Sequence, residues 1–130
     1  LKTRRLSHRE KSKSSGSHVE PEQIVRDVVM VAEDKKAHDV VALDVRGLTI
    51  ITDYFVIASA NNETAIRALS NGMIERLVQD GVRPWHVEGT AAGGWILLDY
   101  GDVVIHVFHD DRRFFYDLEG LWGDAPQFKT

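Results

Sequence analysis

Two apolar runs with a brief break between them constrain the fold of this chain more than any other feature. Trp95 to Asp99 (WILLD) is followed, after Tyr100-Gly101, by a second run from Val103 to Phe108 (VVIHVF). Such runs are strand-length and too short for helices, and so short a break returns the second strand directly beside the first. The pair reads as a β-hairpin. With Tyr100 and Gly101 as its two turn residues, Asp99 opposes Asp102, Leu98 opposes Val103, Leu97 opposes Val104, Ile96 opposes Ile105 and Trp95 opposes His106. Alternation then gathers Trp95, Leu97, Asp99, Asp102, Val104 and His106 on one face.

Elsewhere helical and strand patterns take turns. Pro21 suits a first helical turn, and Ile24, Val25, Val28, Val31 and Ala32 follow at spacings of three and four, which predicts a helix ending near Ala37. Val40 to Val45 and Asp53 to Ala60 are β-branched runs expected to be strands buried on both faces. Asn61-Asn62 caps a second helix carrying Ile66, Leu69, Met73, Ile74, Leu77 and Val78, with Gly81 placed to end it. A short strand around His86 to Glu88 and a loop through Gly93-Gly94 precede the hairpin, and Asp110 to Trp122 fits a final helix. The order α-β-β-α-β-β-β-α predicts an α/β fold with a mixed sheet of about five strands and flanking helices.

Charge divides the chain in two. Residues 1–18 hold six Lys or Arg against one acid and almost no apolar side chain, so they read as a basic arm, whereas residues 19–130 hold ten basic against nineteen acidic groups and form the folded domain. The arm fits an RNA-touching extension, a remnant of an organellar targeting peptide or an artificial leader. An acidic body disfavours broad phosphate binding and favours a basic partner, such as a ribosomal or other nucleic-acid-binding protein. There are no cysteines, which removes disulfide frameworks and thiolate metal sites, and no apolar run long enough to span a bilayer.

Catalytic groupings are weak. His106, His109, Asp110 and Asp111 form a His and carboxylate cluster, but strand residues three apart point to opposite faces. Asp99 and Asp102 flank a turn, whereas a two-metal site on a strand wants acids at alternate positions. Ser59-Ala60-Asn61-Asn62 joins a strand to a helix without the glycines that let backbone wrap phosphate. No catalytic residue, metal or cofactor is expected. What remains is an aromatic and acidic set, Glu88, Trp95, Asp99, Tyr100, Asp102, Tyr116 and Trp122, of the kind that anchors protein interfaces and steers basic partners. The plainer reading makes Trp95 and Trp122 core aromatics.

In this order and spacing, TDYFVIASA, VEG, WILLDYGDVVIHVF and FYDLEGLWGDAP closely resemble the ribosomal silencing factor family, also called the Iojap family, over about residues 20 to 126. The resemblance implies a fold shaped like the nucleotidyltransferases but without established catalysis. It also implies binding to large ribosomal subunit protein number fourteen, which blocks joining of the small subunit and represses translation when nutrients are scarce. Carried over by position, the partner-facing residues are Trp95, Asp99, Tyr100 and Tyr116, with Glu88, Asp102 and His106 as neighbours. Tyr100 stands where some members have Leu. Some members form homodimers when free, and the resemblance implies a bacterial cytoplasm or, alternatively, a mitochondrial matrix or plastid stroma. A nucleotidyltransferase-like enzyme or nucleotide sensor is the competing reading, and RNA contact by residues 1–18 is compatible with the first.

Overall fold

The computed structural model describes residues 19–112 and 126–128 of the chain. Pro21 opens the first helix, α1 (Pro21–Asp34), at a position where its missing N–H would have no helical partner. Ile24, Val25, Val28, Val29 and Ala32 are its buried stripe. The helix stops short of the expected Ala37. Lys36 turns to φ 60°, its N–H returns to the Glu33 carbonyl at 3.0 Å, and the Ala37 N–H reaches Ala32 at 2.9 Å. That closure usually employs glycine at the left-handed position, and here a lysine occupies it.

The second helix, α2 (Glu63–Val78), has both of its expected ends. Asn62 Oδ1 accepts the Ala65 N–H at 2.8 Å, and Gly81, at φ 78°, sends its N–H back to Val78 at 2.9 Å. Ile66, Leu69, Met73 and Leu77 are buried along it. Both helices pack on one face of a five-stranded sheet formed by β1 (His38–Asp44), β2 (Tyr54–Ala60), β3 (His86–Thr90), β4 (Trp95–Asp99) and β5 (Val103–His109). The strand order is β1-β2-β5-β4-β3, with β2 and β5 parallel and every other pair antiparallel. The sheet is mixed, as the pattern predicts.

Two further expectations need correction. β2 is buried almost throughout, but β1 is an edge strand whose first two residues are exposed. Among the described residues, its outer edge is met by residues 126–128: Asp44 donates to the Pro126 carbonyl at 2.8 Å, and Phe128 donates to that of Ala42 at 2.7 Å. In the hairpin, Trp95 opposes Phe108, Leu97 opposes His106 and Asp99 opposes Val104, so the turn lies one residue later than expected, at Gly101-Asp102. Gly101 supplies the positive φ of 83° that the first turn position demands, and the Asp102 carbonyl is drawn to the N–H groups of Asp53 and Tyr54, each at 3.0 Å. Because each pairing moves by two positions along one strand, the faces do not flip. The expected final helix falls mostly outside the described residues: residues 110–112 are helical, and Phe114, Tyr116 and Trp122 are not among those described.

Candidate functional site

Alternation sorts the central strands into two surfaces. Ile96, Leu98, Val103, Ile105 and Val107 join the core beneath α1 and α2. Trp95, Leu97, Asp99, Val104, His106 and Phe108 take the face opposite α1 and α2, where Val104, His106 and Phe108 are buried. β2 adds Phe55 and Ile57 to this second face, and β1 adds Val41 and Leu43. On β3, Glu88 stands across from Leu97 and His86 across from Asp99, so both look the same way as Trp95.

The centre of this face is an aromatic set. Trp95 is half-buried, and its indole N–H donates to Nδ1 of His106 at 3.2 Å. His106 stacks on Phe108 with ring centroids 5.8 Å apart and planes 4° apart, and Phe55 tilts against it at 5.6 Å. Burial pushes the His106 pKa down to about 4, so the ring is neutral near pH 7. With Nδ1 accepting, its proton sits on Nε2. Acidic groups fringe the set: Asp99 is half-buried, and exposed Glu88 pairs with His86 at 2.9 Å.

The expected site residues therefore separate. Trp95, Asp99, Glu88 and His106 share the face, although His106 is only 8% exposed and supports it from beneath. Asp102 leaves the face for the turn. Tyr100 turns into the helix-side core, 7% exposed, where burial raises its hydroxyl to about 12. Tyr116 is outside the described residues. The competing enzymatic groupings also disperse. His106 and His109 occupy opposite faces, the Asp99 carboxylate accepts the Gly101 N–H at 2.8 Å, and buried Ser59 donates to the His38 carbonyl at 3.1 Å. Among the described residues, no three His, Cys, Asp or Glu side chains converge as metal ligands would.

Residues 18–130 match the family described as ribosomal silencing factor during starvation. The chain belongs to that family. It is 39% identical over 103 residues to the ribosomal silencing factor of Bacillus subtilis (strain 168), covering 79% of this chain and 87% of that one. It is 34% identical to the chloroplastic protein Iojap of Arabidopsis thaliana over 79% of this chain and 43% of that longer protein. A crystal structure from Chromobacterium violaceum superposes with a TM-score of 0.77 at 33% identity, over 86% of this chain and 92% of that one. In this ribosomal silencing factor family member, the residues that sequence reasoning missed are Phe55 and Phe108, which complete the Trp95 face. Period-two alternation placed Leu97 correctly, but nothing in the sequence says that β2 lies beside β5, which is what brings Phe55 under His106.

Proposed function

We propose that this ribosomal silencing factor family member represses translation by docking its Trp95 face on protein number fourteen of the large ribosomal subunit, which sterically prevents the small subunit from joining. The observation that carries the reading is a half-buried Trp at the edge of a largely buried aromatic cluster, on the sheet face opposite α1 and α2 and fringed by Glu88 and Asp99. Buried aromatic anchors ringed by polar groups dominate the energetics of protein interfaces. The acidic excess of residues 19–130 favours a basic ribosomal partner and speeds encounter with it.

The mechanism needs no catalysis and no cofactor. An interface of about 1,200 to 2,000 Å² is enough to occupy a subunit-joining surface. The compartment is that of the ribosome it meets: the bacterial cytoplasm, or an organelle if the chain is closer in role to the plastid and mitochondrial Iojap proteins. Co-sedimentation with purified subunits tests the reading. The protein is expected to travel with isolated large subunits and to reduce the yield of joined ribosomes, whereas co-sedimentation with small subunits alone would reverse it.

A further inference from the structure

Trp95 is hemmed in from two sides. Its N–H donates to His106 Nδ1 at 3.2 Å, and the two rings stack with centroids 6.3 Å apart and planes at 25°. On β3, a Cβ added to Gly89 would stand 3.0 Å from the indole Cε3, so any side chain there would press on the ring. His106 is itself immobilised in the middle of the sheet, paired across to Ile57 on β2 and Leu97 on β4 and packed against Phe55 and Phe108. A leucine would fill that place without burying polar atoms, which cost free energy unless hydrogen-bonded. Unlike a leucine, the imidazole presents an acceptor aimed at the indole, and unlike a phenyl ring it does so while stacking.

We propose that His106 is a positioning residue for docking: by accepting the Trp95 N–H it fixes the indole in the orientation the ribosomal partner meets. The inference rests on Trp95 being the docking anchor. Ordering one large side chain on binding lowers affinity by about two- to tenfold, and a pre-fixed anchor avoids that loss.

The test uses the full chain labelled at the tryptophan indole nitrogen, with Trp85, Trp95 and Trp122 told apart by single Phe substitutions. Solvent exchange of each indole proton is read by NMR, and affinity for purified large subunits is read by sedimentation, both corrected for unfolded protein. His106→Leu is expected to speed exchange at Trp95 and to weaken binding about two- to tenfold. His106→Phe, which keeps a stacked ring and removes the acceptor, should do the same. His106→Gln, whose side-chain carbonyl can accept the N–H, should recover much of both. In a Trp95→Phe background, His106→Leu should cost nothing more, because no N–H remains to hold.

Unchanged exchange in both His106→Leu and His106→Phe would overturn the inference, as would an affinity loss that persists undiminished in the Trp95→Phe background. If Trp95→Ala weakens docking while His106→Leu does not, the positioning role alone is lost. If Trp95→Ala leaves docking intact, the docking face itself is misassigned and the inference falls with it.

Discussion

Burial pushes the His106 imidazole down to about 4, from about 6.5 in an unfolded chain, so below pH 6.5 unfolded molecules take up a proton that folded ones refuse. The stability associated with a neutral His106 is complete above pH 6.5, declines between pH 6.5 and 4, and levels off below that, a loss of about 3 kcal/mol. Urea unfolding at pH 7.5 and 4.5 should show wild type losing more stability than His106→Leu across that interval; equal losses would mean that the ring titrates normally. The neighbouring Gly89 makes a second residue-scale case. Its φ of 82° and the 2.1 Å that would separate an added Cβ from the Trp95 carbonyl oxygen leave no room for alanine. Gly89→Ala should therefore destabilise the chain by more than the roughly 1 kcal/mol of an ordinary glycine replacement and shift Trp95 fluorescence, and an unaltered urea midpoint would contradict this. At this scale alternation alone put Trp95, Leu97, Asp99, Val104 and His106 on one face, but it also put Asp102 there, which the turn removes. Tyr100 was not legible in this way, because the side chain next to a turn is directed by the turn's exact position.

Among the elements, the hairpin shows how one backbone angle sets a register. Gly101 at φ 83° leads the turn, and a Cβ at that angle is strained. Gly101→Ala should lower stability by about 1–2 kcal/mol in urea unfolding, and no change would show that the turn can shift without penalty. The same logic explains which element ends were readable. α2 carries Asn62 and Gly81, residue types with a direct physical link to helix ends, and its span was foreseeable from them. α1 ends on a left-handed Lys36, for which the sequence holds no signal, so its expected end ran on to Ala37. β1 and β2 look alike as β-branched runs, yet one is an edge and the other is central. Strand order is a property of long-range pairing and leaves no mark on a single strand's composition.

Along the whole molecule, charge is divided: residues 1–18 are basic and residues 19–130 acidic. Residues 1–18 offer too little apolar surface to add to a core, so their deletion should leave the thermal midpoint nearly unchanged, and a fall of about 10 °C or more would show that they pack on the body. The separation of Asp99 from Asp102 likewise predicts no magnesium-dependent turnover of nucleotides; turnover abolished by Asp99→Asn would restore the enzymatic reading. Docking through the Trp95 face is tested most directly by measuring, for Trp95→Ala, both the affinity for purified large subunits and the free energy of unfolding. A half-buried anchor predicts an affinity loss of about 30- to 1,000-fold with a stability loss well below the roughly 3–5 kcal/mol of a core tryptophan. Affinity retained alongside a stability loss of that full size would contradict it and make Trp95 a core residue.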